Sequence, residues 1–248
     1  MSALLKAELI KLRTTRTFVA LAAVTLFTSG LLAVLVSSLT EPTEDSVLVD
    51  VFISDTSSLF ILILAVVGIT GEWRHRTITS SLLAAPDRLR FLAAKTLAFA
   101  AAGALLSVLV SIFVAILGVS ILSFRDLPLP DAGDVLAQDL RNAMVAALLA
   151  AFGVGLGALV RNQVVAVVGL LVLLLAIEPT LQFLAPDVGR YGPFSSLPTA
   201  AADIPGDAAG IPEEVDLLSP GLAVLALLGW ITAAFAAGAA LLRARDLT

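Results

Sequence analysis

From Thr96 to Phe124 the chain runs for 29 residues without a charge. A helix crossing a bilayer needs roughly 20 mostly apolar residues, because about 1.5 Å of rise each spans a hydrocarbon core of about 30 Å. A run of this length has no polar face to turn towards water, so it cannot be a surface helix of a soluble domain. Five more segments meet the same criterion, which places spans at about residues 18–39, 51–70, 96–124, 142–160, 162–184 and 217–242. The third is long enough that it must tilt or project beyond the bilayer. The fifth reaches Leu184 only by running through Glu178-Pro179. Composition agrees: 59% of residues are apolar and 14% charged, against about 45–50% and about 25% in soluble domains. Residues 1–248 are therefore expected to form a single all-α transmembrane domain. A disordered chain, a disulfide scaffold and an ordinary soluble enzyme are excluded.

Charge sets the expected orientation. The N-terminal segment, the second and fourth connections and the C-terminal segment hold 12 of the 15 Lys and Arg residues. The other connections hold or adjoin 16 of the 20 acids. Basic connections stay in the cytoplasm, so six spans place both termini there, in a cell membrane of the bacterial inner-membrane type. The first apolar segment is too long for a cleavable signal and lacks a small-residue cleavage pattern before Glu41. Ahead of it, Leu5, Leu9 and Leu12 repeat at helical spacing opposite Lys6 and Arg13. This segment reads as an interfacial helix bearing Glu8, Lys11, Arg13 and Arg16, or as a charged stop before the first span.

The connections differ in kind. Spans four and five are joined by Arg161-Asn162-Gln163, which predicts a tight helical hairpin. The segment from Glu178 to Pro220 holds seven of the eleven prolines yet stays apolar in part. It is expected to fold back into the outer half of the membrane as short broken helices before the sixth span, a re-entrant segment. Between spans two and three, Gly71 can supply a left-handed helix end and Thr77 can open a helix whose Ile78, Leu82 and Ala85 share a face. Pro86 stops that helix, and Asp87 can cap the next one. The outcome is a short transverse helix for another protein to push on, or a basic loop that only sets topology. Gly153 and Gly157 form a small-residue pair suited to close helix contact, with packing inside the subunit favoured over a dimer seam.

Several kinds of chemistry have no residues to carry them. Cys is absent and His75 is the single histidine, so no catalytic or metal constellation is readable. None of Lys6, Lys11 and Lys95 sits in a phosphate-cradling G-x-x-x-x-G-K-[ST] order. The chain is not expected to be an enzyme or to bind a cofactor itself. Among acids inside the apolar spans, only Asp55 and Glu178 stand out, both near an outer end. They are read as interfacial carboxylates or as part of an external cavity or gate.

The order of these parts resembles the permease subunit of ABC type-2 exporters. The entry helix resembles the family in Glu8-Leu9-Ile10-Lys11-Leu12-Arg13-Thr14-Thr15-Arg16-Thr17. The connection after span two does so in Glu72, Thr77-Ile78, Leu82-Leu83, Pro86, Arg88 and Lys95, with Arg76 where the family often has Gly. The resemblance implies a permease forming half of a translocation pathway, paired with a second copy or a paralogue. A cytoplasmic P-loop ATPase chain would bind the ATP and Mg, and nucleic acid is not an expected partner. The 77–85 segment would be the coupling helix, so Glu72, Arg74, Arg76, Thr77, Ile78, Leu82, Leu83, Pro86, Arg88 and Lys95 would couple to the ATPase. Low charge in the spans is compatible with an apolar or amphipathic cargo such as a drug, peptide or lipid-like molecule. The rival reading is a non-transporting scaffold or sensor that recruits a cytoplasmic partner through its basic inner surface.

Overall fold

A computed structural model of the protein describes residues 2–75, 77–78, 87–160 and 162–244. All regular secondary structure among the described residues is helical, and six helical segments are long and apolar enough to cross a membrane. The chain is thus a multi-pass membrane protein. The expected transverse helix falls almost wholly outside the described residues: Arg76, Leu82, Leu83 and Pro86 lie there, while Thr77 and Ile78 are described.

The helices are α1 (Ser2–Thr14), α2 (Arg16–Leu39), α3 (Val47–Phe52), α4 (Ser57–Arg74), α5 (Arg88–Phe124) and α6 (Ala132–Leu159). They continue with α7 (Gln163–Val172), α8 (Glu178–Leu184), α9 (Pro186–Gly189), α10 (Ser196–Ala201) and α11 (Pro220–Ala244). Helix α6 is the hub, packed by α5, α4 and α11; α2 lies on α5, and α7 on α4. Small residues allow this. A Cβ on Gly153 would lie 2.8 Å from the Leu62 carbonyl oxygen, and one on Gly157 would lie 2.3 Å from Ile69 Cγ2. The glycine pair therefore packs within the chain, against α4, while the intervening Gly155 meets Ala234 of α11. Helix α2 buries Thr25, Ser29, Gly30, Ala33 and Ser37, with Gly30 against Phe113 of α5.

Four expectations need correction. First, span two is not one helix from Val51 to Thr70, because the chain breaks between Phe52 and Ser57. The run Ser54-Asp55-Thr56-Ser57-Ser58 offers side chains that compete with the helical backbone bonds. Ser57 N–H donates to Asp55 Oδ1 at 2.8 Å, and Thr56 N–H donates to Ser29 Oγ at 3.0 Å. Second, Gly71 does not end this span. Helix α4 continues to Arg74, and His75 caps it with φ −92°, its N–H on the Gly71 carbonyl at 2.9 Å.

Third, span four begins about ten residues before Asn142: Asp131 caps α6 by accepting from Gly133 N–H. Fourth, spans four and five do not lie together as a tight hairpin. The connection is short, and Asn162 caps α7 through Val164 and Val165 N–H, but α7 leaves α6 and leans on α4. Smaller differences have equally local causes. A π turn at Leu173–Ile177 precedes α8, widening the helix where the Pro179 ring would otherwise meet the preceding turn and removing the need for its absent N–H. The sixth span starts at Pro220, suited to a first helical position, so residues 217–219 lie outside it. The expected Asp87 cap is present: its carboxylate accepts from Leu89 and Arg90 N–H.

Candidate functional sites at the two ends of the bundle

The basic end brings together residues that lie far apart in sequence. Helix α1 turns Leu5, Glu8 and Leu12 inward, while Leu9 remains 38% exposed. Its inward face is therefore rotated from the expected leucine stripe so that one acid points into the bundle. There Lys95, only 1% exposed at the start of α5, bonds Glu8 Oε2 at 2.7 Å and Glu72 Oε1 at 2.8 Å. Lys11 bonds the same Glu72 oxygen. The Lys95 ammonium also lies 5.5 Å and 5.7 Å from the ring centroids of Phe91 and Phe99.

Two lysines and two glutamates thus form a neutral cluster. Neutrality matters because each desolvated ion costs several kcal/mol unless its partners are in place. Glu72 Oε2 is buried without a hydrogen-bond partner. The cluster borders a cavity of about 340 Å³ whose walls include Phe18, Leu64, Arg74, His75 and Phe99. Arg74 donates to Gln163 Oε1 at 3.2 Å, tying α4 to α7. Thr77 N–H returns to the Glu72 carbonyl at 2.9 Å, and Ile78 packs with Phe91, Leu4 and Trp73. Arg88 opens α5 half-buried, whereas Arg13 and Arg16 are exposed and outside the cluster.

At the acidic end, Glu178 and Asp55 have different surroundings. Glu178 is 3% exposed, and its carboxylate accepts from Phe194, Ser195 and Ser196 N–H at 3.0, 2.9 and 3.2 Å. Gly192 makes room for it: a Cβ there would lie 2.0 Å from Glu178 Oε1. Gln182 adds bonds to Ser195 Oγ and Ser196 Oγ at 2.7 and 2.8 Å, and Trp230 Nε1–H reaches the Tyr191 carbonyl at 3.1 Å. Glu178 therefore pins the 186–201 segment to the bundle. The segment does form short broken helices, α8 to α10.

Asp55 instead borders a cavity of about 200 Å³ that Glu178 does not line. One Asp55 oxygen accepts from Ser111 Oγ–H and from Asn142 Nδ2–H, the latter at 3.4 Å. Asp139 of α6 is buried as well, 7% exposed, and its Oδ1 has no hydrogen-bond partner. The sequence reading missed Asp139 because it began the span at Asn142. The available signal was the helical spacing of Asp139, Ala143, Ala146 and Ala150, all buried, which carries the inward face upstream.

No protein-family model matches the chain, and neither does any curated protein. Function must therefore be argued from the two ends themselves.

Proposed function

We propose that the chain is the permease subunit of an ATP-driven exporter of the ABC type-2 class, lodged in a bacterial inner membrane with both termini cytoplasmic. The carrying observation is the Glu8–Lys95–Glu72–Lys11 cluster. Glu72 lies in the last turn of α4 and Lys95 about two turns into α5, so their bond clamps together the two membrane helices that flank the basic connection. Glu8 and Lys11 fasten α1 to the same clamp. A force applied to residues 77–86 by an ATPase would then reach α4, α5 and α1 as one rigid body, which is what coupling requires. On this reading α1 is the interfacial helix, residues 77–85 form the coupling helix, and the 186–201 segment pinned by Glu178 is the re-entrant gate. A second copy or paralogue supplies the other half of the pathway, and the cargo is apolar or amphipathic.

The test is gentle solubilisation of the tagged chain from its native host, followed by identification of what co-purifies. The expected result is a P-loop ATPase that is lost on Leu83→Asp, with the membrane level of the chain unchanged. Clean recovery with no ATPase, under conditions that keep a known transporter complex intact, would overturn the proposal. The basic surface would then be that of a recruiting scaffold.

A further inference from the structure

We propose that the cavity at the basic end holds one anionic phospholipid of the phosphatidylglycerol type, with its phosphodiester at the rim beside Lys11 and Arg74. The cavity, of about 340 Å³, lies between α1, α2, α4, α5 and the start of α7. Its wall follows α4 from Leu64 to Arg74, a separation of about 15 Å along a helix. That is half of a hydrocarbon core of about 30 Å, so the lining passes through the depth of one leaflet. Phe18, Leu64, Val67 and Phe99 form its apolar part, and Lys11, Arg74, His75 and Gln163 its polar part. Both ends of a phospholipid thus find matching surface in one cavity.

Charge on the cavity wall selects an anion. The Glu8–Lys95–Glu72–Lys11 cluster is neutral by itself, and Arg74 adds one positive charge that nothing balances. Among the described residues, no carboxylate pairs with Arg74, whose side chain donates to Gln163 Oε1 at 3.2 Å. The Lys11 side chain is 45% exposed and bonds Glu72, which engages one of its three N–H donors. The other two are free to meet a ligand, and the exposed His75 stands on the same wall. A single phosphodiester charge would balance Arg74, and guanidinium and ammonium groups are strong partners for phosphate oxygens.

A second observation narrows the headgroup. Glu72, 2% exposed, lines the cavity, and its Oε2 has no hydrogen-bond partner. Buried carboxylate oxygens ordinarily have one. Lys11 and Lys95 both bond Oε1, which leaves Oε2 for a donor from outside the cluster. The glycerol hydroxyls of phosphatidylglycerol bring such donors next to the phosphodiester. A choline headgroup brings none, and its fixed positive charge leaves Arg74 unbalanced. Gly71 marks the open space, since it lines the cavity and a Cβ on it would meet nothing within 4 Å. The inference does not rest on the transport reading, because lipid binding is measured without an ATPase or cargo. Failure to recover an ATPase would leave it untouched.

The test is native mass spectrometry of the purified, delipidated full chain in mild detergent, offered equal amounts of phosphatidylglycerol and phosphatidylcholine. Thermal stabilisation by each lipid alone is the second readout. One phosphatidylglycerol should be retained in preference to phosphatidylcholine. Arg74→Gln should lower that preference about tenfold, the effect of one lost charge-assisted hydrogen bond. Gly71→Leu should abolish it by filling the cavity. Its lipid-free melting temperature should hold or rise, because a helical glycine is replaced where there is room. Arg13→Gln, which removes an exposed cation of α1 that does not line the cavity, should keep the preference. An equal loss in Arg13→Gln would reveal attraction to the basic surface at large and overturn the proposal. Wild-type preference retained in either Arg74→Gln or Gly71→Leu would overturn it as well. Inorganic phosphate that stabilises the chain as much as phosphatidylglycerol does would make the ligand a soluble phosphate, and would also overturn it. Arg74 is exposed, so its variant tests the site even where Gly71→Leu fails to fold.

Discussion

A lysine buried to 1% exposure is tolerable only while its partners stay ionised beside it. Lys95→Ala leaves Glu8 without its bonded cation and Glu72 with Lys11 alone. Breaking a buried pair from one side costs about 3–5 kcal/mol, which reversible unfolding in mixed detergent should register. Pairing Lys95→Met with Glu72→Gln removes both charges and should recover much of that loss. A double variant as damaged as the sum of the singles would show that the two residues act independently. Glu178→Gln is a milder change, since an amide oxygen can hold at most part of a cradle built from three backbone N–H groups. A loss of about 1–3 kcal/mol is expected, read locally as faster amide exchange at residues 194–196. Glu178 stood out in the sequence as an acid in an apolar span, and Glu72 and Lys95 stood out through the family resemblance. Their partners were not: Glu8 and Lys95 are 87 positions apart, and no local pattern encodes a bond of that reach.

Helix packing was legible wherever one helix face states its own purpose. Gly153 and Gly157 announced a close approach, and the structure supplies the partner, α4. Gly157→Ala forces a methyl to within 2.3 Å of Ile69 Cγ2 and 3.1 Å of the Val66 carbonyl oxygen. Overpacking of this kind costs typically about 1–3 kcal/mol, so the melting temperature should fall. Gly169→Ala meets nothing within 4 Å and removes a flexible helical residue, so stability should hold or rise. If the two variants melt together, α4 and α6 are not packed through Gly157. The features that escaped sequence reading share a cause. An apolar window reports where a helix can be buried, not where its backbone bonds stop. The break before Ser57, the π turn before Glu178 and the early start of α6 are all decided by polar side chains or by a proline ring. A hydropathy average smooths over such residues. Asp139 fell in the blind margin of one such window.

At the scale of the whole molecule, the division of charge between the two ends makes a strict prediction of topology. Lys11, Arg74, Lys95 and Gln163 meet around one cavity, so α1 and the basic connection lie at a common end. Asp203, Asp207, Glu213 and Asp216 line a second open surface of about 580 Å³ with Pro205 and Pro212. Asp203 also pairs with Arg141, and Asp207 belongs to the turns that follow α10. Basic segments are retained on the cytoplasmic side of a bacterial membrane, so the acidic surface should face out. The absence of cysteine from the sequence makes this measurable without background. Arg13→Cys and Arg90→Cys mark the basic end, and Glu44→Cys and Asp207→Cys mark the acidic end; all four positions are exposed. A membrane-impermeant maleimide added to intact cells should label the Glu44 and Asp207 variants, and should reach the Arg13 and Arg90 variants only after permeabilisation. The reverse pattern would turn the molecule over and remove the cytoplasmic ATPase from reach of the 77–86 segment. Labelling of one marker from each end would break the six-span arrangement itself. The two ends then stand on opposite faces of one membrane, about 30 Å of hydrocarbon apart, joined by α4 and α5. Those are the two helices that the Glu72–Lys95 bond holds together.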